Sequence, residues 1–373
     1  MQKIGVIPGD GIGPEVIAEA RKVLDAAVEK RSLTIEYEEF PLGAGHYLKT
    51  GEILSDETLQ RLSKKDALLL GAMGDPRVKP GVLEKGVLLR LRFHFDQYVN
   101  LRPVKLLDGI PCPLAGDHRK IDMQFIRENT EDFYVGLGGR VKKGLSRTTL
   151  ELKRRAFEAK FDVGIELEDE PELAFQIGVI TKQGTKRVME YAFQMAKQKD
   201  IDLVTCVDKA NVLTDAYGMW REIADEISKK YSVNMEFQYV DAVALHMVRT
   251  PERFKMIVAP NLFGDILTDL GAAIQGGLGF APSGNINPSG VSMFEPVHGS
   301  APDIAGKGLA NPVGAILSAA LMLDSLGEHG AASDIEKAVQ QVLRAGKHKT
   351  HDIGGKTPTS KVGDAIAAAL KNG

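Results

Sequence analysis

Two aspartates one helical turn apart are the first residues in this chain that could do chemistry. Asp265 and Asp269 lie in Pro260–Ile274, PNLFGDILTDLGAAI. If that stretch is helical, both carboxylates leave one face with their Cβ atoms about 6 Å apart. Hard divalent cations such as Mg²⁺ and Mn²⁺ take oxygen ligands of this kind. Leu262, Ile266, Leu270 and Ile274 recur every fourth residue and predict the helix, which Gly276-Gly277 can end. Alone, the pair is better explained as solvated aspartates on an ordinary amphipathic helix. Its chemistry depends on the company it keeps.

Five polar clusters supply that company, each at a loop or strand end, where α/β folds place their sites. They are Leu88-Leu89-Arg90-Leu91-Arg92 with Asn100-Leu101-Arg102-Pro103; Arg127-Glu128-Asn129-Thr130-Glu131 with Tyr134; Val207-Asp208-Lys209-Ala210-Asn211; Asp241; and Phe294 to Asp303, FEPVHGSAPD. Arg92, Arg102 and Arg127 could hold an acid with more than one carboxylate, because guanidinium pairs carboxylate bidentately. Lys209 follows the apolar run Leu203–Val207, and burial there would favour its neutral, basic form. Tyr134 could give a proton, and His298, between Pro and Gly in a loop, could meet a ligand. Each of these residues alone also fits a structural role.

The elements that must position these residues alternate. Lys3–Ile7 predicts a buried strand that runs through Pro8-Gly9-Asp10-Gly11-Ile12-Gly13 into a helix with Pro14 in its first turn. The spacing is G-x-G-x-G, which fits a tight structural turn at least as well as a dinucleotide loop. Strands are predicted at Leu33–Phe40, Asp66–Met73, Phe175–Thr181, Ile201–Val207, Val233–Val240 and Phe254–Ala259. Helices are predicted from Ser55, over Thr185–Gln198 and Val212–Lys230, from Asp241, and from Asn311-Pro312 to Leu326. Gly276–Gly290 reads as a loop, and Leu137–Pro171 has no clean period. The alternation predicts an α/β fold with a largely parallel sheet.

Composition narrows the function. The 373 residues allow about two domains of ~150 residues. With 43% hydrophobic residues the chain can build a core. A formal net charge of −3, from 47 basic and 50 acidic residues, argues against nucleic-acid or membrane-surface partners. Two cysteines, Cys112 and Cys206, give neither a disulfide framework nor zinc spacing. MQKIGVIPGDG is not a signal peptide, and no apolar run reaches the ~20 residues that span a bilayer. The expected location is cytoplasmic.

The strings IPGDGIGPEV, LRPVK, RENTE, DKANVL, QYVDA, NLFGDILTD and FEPVHGSAPDIAGKGLANP, spanning Ile7 to Pro312, together resemble one family. This is the isocitrate/isopropylmalate family of β-decarboxylating 2-hydroxy-acid dehydrogenases, which also includes homoisocitrate, tartrate and D-malate enzymes. The resemblance implies a two-domain fold that is not an ordinary Rossmann domain. One domain is expected from residues 1–98 plus 276–373 on the cofactor side, the other from 99–275 at the dimer interface. It implies Mg²⁺ or Mn²⁺ on Asp241, Asp265 and Asp269, with Asp241 reaching in from the partner of a homodimer. It further implies substrate carboxylates on Arg92, Arg102 and Arg127, Lys209 as base (again from the partner), and Tyr134 as proton donor. Asn211 is implied near the nicotinamide, and His298, Gly299, Ser300, Ala301, Asp303 and Asn311 around the adenosine of NAD.

The segment just before Arg92 reads the substituent on the substrate's third carbon in this family. Leu88 and Leu89 there suit an isopropyl group, whereas Lys85 stands where many isopropylmalate enzymes have Glu. The expected reaction is NAD-dependent oxidative decarboxylation of 3-isopropylmalate to 4-methyl-2-oxopentanoate and CO₂, in leucine biosynthesis. Tartrate or D-malate is the alternative substrate, and a non-catalytic regulatory subunit ranks behind both.

Overall fold

The computed structural model describes residues 1–116, 120–154 and 157–372. The strands are β1 (Gln2–Gly9), β2 (Ile35–Glu39), β3 (Ala67–Ala72), β4 (Val99–Lys105), β5 (Asp122–Glu128), β6 (Asp132–Lys153), β7 (Glu158–Val179), β8 (Leu203–Asp208), β9 (Asn234–Tyr239), β10 (Met256–Ala259), β11 (Pro282–Ile286) and β12 (Ser292–Pro296). The helices are α1 (Gly13–Arg31), α2 (Ala44–Thr50), α3 (Asp56–Leu62), α4 (Arg90–His94), α5 (Lys182–Gln198), α6 (Thr214–Ser228), α7 (Val240–Arg249), α8 (Asn261–Ile274), α9 (Val313–Ser325), α10 (His329–Ala345) and α11 (Thr359–Asn372).

Ten strands form one sheet in the order β2-β1-β3-β12-β11-β4-β5-β10-β8-β9. Its two wings are parallel, as the βα alternation predicts. The centre is antiparallel, at β12/β11, β11/β4 and β4/β5. The strands from residues 99–275 and those from the terminal segments therefore meet at the β11/β4 pair. Helices α1, α5, α6, α9, α10 and α11 cover one face over a continuous core that includes Val6, Leu69, Leu101, Ile126, Val204 and Val258. The other face carries α3 and α4 at one end, over Ile7, Leu70 and Met293, and α7 and α8 at the other, over Met123, Phe125 and Ile257. Among the described residues no helix is long and apolar enough to cross a membrane.

Two parts of the sequence reading change. Gly276–Gly290 is not wholly loop, because Pro282–Ile286 is a fully buried central strand. Its polar residues pair inside the sheet. Asn285 Oδ1 accepts from Asn100 and Asn129, and its Nδ2 donates to Glu295 at 2.7 Å, so hydropathy could not reveal the strand. Within Leu137–Pro171, residues 137–153 and 158–171 lie in β6 and β7, a long two-stranded antiparallel arm, and residues 155 and 156 lie outside the described ones. Most of its residues stay exposed or half-buried, so no strong apolar alternation marks it.

The Gly9–Gly13 segment is a tight turn. Gly9 and Gly11 have φ of 74° and 59°, and a Cβ on Gly11 would lie 1.9 Å from the Ser300 carbonyl. Ile12 N–H donates to that same carbonyl at 2.8 Å, so the turn braces the loop that carries Ser300.

Candidate active site

Helix α8 lies over β4 and β5 and presents Asp265 to three arginines. Arg127, at the end of β5, donates to Asp265 Oδ1 at 2.5 Å, and Arg102, from β4, stands 3.5 Å from the same atom. Arg102 also donates to Thr268 at 2.7 Å and lies 3.5 Å from Asp269. Tyr134 donates to Asp265 Oδ2 at 2.6 Å. Arg92, on α4, pairs with Glu295 at 3.2 Å. Arg127 is only 1% exposed, and burial pulls its guanidinium down to about 10. Burial raises the Tyr134 phenol, reinforced by Asp265, so it keeps its proton. Asp265 is held below the usual carboxylate range: its arginines and the Tyr134 hydrogen bond together outweigh burial. The Nε atoms of Arg92 and Arg102 are buried without a partner among the described residues. Unsatisfied cationic donors of this kind fit an acidic ligand.

Helix α8 packs differently from its sequence pattern. Ile266 is 59% exposed and Leu262 and Leu270 are half-buried, while Gly264, Gly271 and Ala272 face the sheet. The reason is the size of what lies beneath. A Cβ on Gly264 would meet Arg127 Cγ at 2.6 Å, and one on Gly271 would meet Val104 Cγ2 at 2.7 Å. Small residues let the helix sit down over Arg127, while Leu267 and Ile274 are buried in the core and Ile266 turns outward. Asn261, which the sequence reading passed over, fixes that arginine: its carbonyl and side-chain oxygens accept from Arg127 at 2.9, 3.0 and 2.7 Å.

Lys209 and Asp241 form a second centre, paired at 2.5 Å. The lysine holds Asp241 below its ordinary range. Asp208 orients this turn, accepting from Ala210 N–H and from both ends of the Arg221 fork at 2.7 and 3.0 Å. Asn211 is exposed two residues on. Lys209 is partly buried, with 27% of its side chain exposed, and turns from the β8 end to meet Asp241. Among the described residues no three potential ligands of one chain converge on a metal position. Asp265 and Asp269 belong to the arginine centre and Asp241 to the lysine centre.

Leu88 and Leu89 close a π-helical turn, Glu84–Leu89, which runs into α4. Leu88 packs partly on the core under α3 and α4, and Leu89 is half-buried. Wider turns of this type frequently mark functional segments. Here Glu84, not Lys85, faces the Gly74–Ser300 side: its Oε1 is 4.0 Å from where a Gly74 Cβ would stand, and Ser300 Oγ is 3.5 Å from the same point. Lys85 turns outward with Lys64 and Arg90.

The remaining candidates gather on one loop. Glu15 of α1 accepts from the N–H groups of Gly306 and Gly308 at 2.5 and 3.1 Å, anchoring the segment that begins at Gly299. Asp303 is exposed, with Lys307 Nζ on its carbonyl at 2.7 Å, and Ala301 adopts φ of 40°. Asn311 accepts from Val313 N–H, at the start of α9, at 3.1 Å and donates to Asp352 at 3.0 Å. Burial lowers the His298 pKa, and its Nε2 is buried with no partner among the described residues.

Behind Arg127 lies a carboxylate pair. Glu128 accepts from Thr130 and Glu131 N–H groups, and Glu131 accepts from Thr181 N–H and hydroxyl at 2.8 and 2.5 Å. Burial, with Glu128 beside it, pushes Glu131 up to about 7. A raised carboxyl means that the native state takes up a proton where the unfolded chain has lost it. Stability from this group is present below the unfolded pKa and declines as pH rises toward 7. In urea titrations the stability advantage of Glu131→Gln over the parent should grow between about pH 4.5 and 7. A pH-independent difference would remove Glu131 as the proton site.

Comparison with known proteins bears on this geometry. The family model for isocitrate/isopropylmalate dehydrogenase matches residues 3–366. The 3-isopropylmalate dehydrogenase of Thermobifida fusca (strain YX) is 47% identical over 369 residues, covering 98% of this chain and 96% of that one. The enzyme of the same name from Mycobacterium tuberculosis (strain ATCC 25618 / H37Rv) is 45% identical over 371 residues, covering 99% and 100%. Among solved structures, isocitrate dehydrogenase from Methylococcus capsulatus superposes with a TM-score of 0.85 at 33% identity, covering all of both chains. The TT0538 protein from Thermus thermophilus gives 0.82 at 34%, covering 99% of this chain and 68% of that one.

Proposed function

Because the chain belongs to the isocitrate/isopropylmalate dehydrogenase family, we propose that it oxidatively decarboxylates 3-isopropylmalate to 4-methyl-2-oxopentanoate and CO₂, with NAD and a divalent cation, as a step of leucine biosynthesis. The observation that carries this reading is the convergence of Arg92, Arg102, Arg127 and Tyr134 around Asp265, in a chain whose relatives bear that enzyme's name. Three guanidiniums face Asp265, Asp269 and Glu295, an even balance of charge. A dianionic diacid together with a divalent cation leaves that balance unchanged. Leu88 and Leu89 supply the apolar wall for the isopropyl group.

Asp265 and Asp269 of one chain and Asp241 of a second are the oxygen donors for Mg²⁺ or Mn²⁺. One chain alone supplies only two, so the site is composite in a homodimer. Exposed apolar residues support that assembly. Leu245 and Val248 on α7 and Ile266 on α8 are 52%, 46% and 59% exposed, and pairing with a second copy would cover them. We place the domain seam at β11/β4, dividing residues 1–98 plus 276–373 from 99–275.

When bound, NAD accepts hydride at its nicotinamide and the cation polarises the oxygen at C2. The arginines hold the carboxylates so that one departs as CO₂. Lys209 of the second chain, held beside Asp241, is the group placed to take the hydroxyl proton. Tyr134, which keeps its proton through burial, delivers it to the carbon that lost the carboxylate. Glu84 and the loop from His298 to Asp303 flank the cofactor.

Steady-state NADH production on 3-isopropylmalate, tartrate, D-malate and isocitrate tests the reading. A highest kcat/KM for 3-isopropylmalate is expected, and a highest value for tartrate or D-malate would replace it. The same assay reads cofactor choice. The exposed Asp303 carboxylate suits two ribose hydroxyls and repels a 2′-phosphate. NAD should be preferred widely, and Asp303→Lys with Ile304→Tyr should narrow the margin from both sides. Equal use of NADP by the parent enzyme would rule out Asp303 as the reader of the ribose.

A further inference from the structure

A cavity of about 810 Å³ lies on the sheet face opposite the arginines. Its floor is the reverse side of the strands that carry them. Leu101, Pro103 and Lys105 of β4 face the cavity while Arg102 faces α8; Asp122 and Gln124 of β5 face it while Arg127 faces α8. Its walls come from both halves of the molecule: α5 from one, α9 and α10 from the other.

The lining has two characters. Leu101, Met195, Phe280, Leu317 and Leu321 make an apolar floor, and Lys199, Lys337 and Arg344 stand around it. The carboxylates present are largely engaged. Asp122 is 3.2 Å from Lys105, Asp324 is bonded to His329 at 2.6 Å, and burial pushes Glu336 toward its neutral form. Among the described residues, Arg344 pairs with Asp108 at 3.8 Å. Gln275 adds a separate signal. This residue is 2% exposed and lines the cavity. Its Oε1 accepts from Lys105 N–H at 2.8 Å, which fixes the amide's orientation, and its Nε2 has no acceptor among the described residues. A buried amide donor left open is costly, and a carboxylate oxygen would satisfy it.

We infer that this cleft binds a small amphipathic carboxylate, its alkyl chain on Leu101, Phe280, Leu317 and Leu321 and its head among Gln275, Lys199 and Arg344, and that its occupancy is felt at the arginine face. The coupling is mechanical and rests on the dehydrogenase reading. The cavity shares β4 and β5 with the arginines and is walled by both halves of the molecule, so an occupant between α5 and α10 bears directly on the strands that carry Arg102 and Arg127.

Octanoate is the probe, with octanol and acetate as controls for head and tail. In protein labelled at the methionine methyls, octanoate should shift the Met195 resonance saturably, and octanol and acetate should do so at least tenfold more weakly. Leu321→Trp, which fills the cavity, and Lys199→Glu, which reverses its charge, should each weaken octanoate by tenfold or more. A Met195 resonance unmoved by octanoate, or moved equally in Leu321→Trp, overturns the site. This measurement needs no turnover, so it stands apart from the assigned reaction. In the parent enzyme, saturating octanoate should shift KM for the hydroxy diacid about threefold, and an unchanged KM overturns the coupling.

Discussion

Mixing Lys209→Met chains with Asp265→Asn chains is expected to restore activity that neither variant has alone. Each variant by itself should lose turnover by about a hundredfold or more, the usual contribution of a positioned base or of a metal-bound oxygen donor. Lys209 is a partly exposed side chain, and Asp265→Asn keeps volume while removing the charge that faces buried Arg127, so both variants are taken as folded only after their unfolding midpoints are measured. If the site takes Lys209 and Asp241 from one copy and Asp265 and Asp269 from the other, each heterodimer holds one intact site and one doubly damaged site. Random re-association then gives about a quarter of parental activity. The structure motivates the test by keeping the two centres separate within one chain. Re-formed heterodimers confirmed by mass and still inactive would mean that each chain builds its own site.

The alternation of strands and helices was legible because parallel wings bury continuous apolar runs such as Ala67–Ala72 and Met256–Ala259. The grouping of polar residues was legible from clusters, since Arg92, Arg102, Arg127 and Tyr134, scattered in sequence, lie together around Asp265. What was hidden has specific causes. Strand β11 conceals its polar residues in hydrogen bonds to Asn100, Asn129 and Glu295, a pairing that no local window can see. The arm of β6 and β7 has little buried face of its own, so no strong apolar period marks it. The regular leucine and isoleucine spacing of α8 predicted the helix, and along that stripe burial varies from Ile274 in the core to Ile266 in the open. Periodicity locates an apolar stripe but cannot tell whether a core or a second copy covers it. The sequence singled out Lys85, whereas Glu84 is the neighbour whose carboxylate lies toward Gly74 and Ser300.

Arg127→Met should abolish binding of the diacid and also destabilise the fold, and Gly264→Ala should reproduce a part of both effects from the opposite side of the same contact. Arg127 is the most deeply buried of the three arginines, and its fork is fully engaged by Asn261 and Asp265. Methionine fills a similar space but leaves the Asn261 oxygens and the Asp265 carboxylate without their cation. Removing one partner of a buried pair costs about 3–5 kcal/mol. Asp265 keeps 36% of its side chain in solvent, which places the expected loss at the lower end of that range. Gly264→Ala sharpens the argument because its ordinary sign is the opposite. Inside an exposed helix that change stabilises by about 1 kcal/mol. Here the new methyl would stand 2.6 Å from Arg127 Cγ and 2.8 Å from its Cβ, so either the helix lifts or the arginine shifts. The variant should unfold at lower urea than the parent and show a raised KM for the hydroxy diacid, because Arg127 no longer reaches the carboxylate at its former angle. Unfolding midpoints and steady-state kinetics of both variants decide the matter. A Gly264→Ala protein as stable as its parent, with unchanged KM, would show that α8 does not hold Arg127 in place.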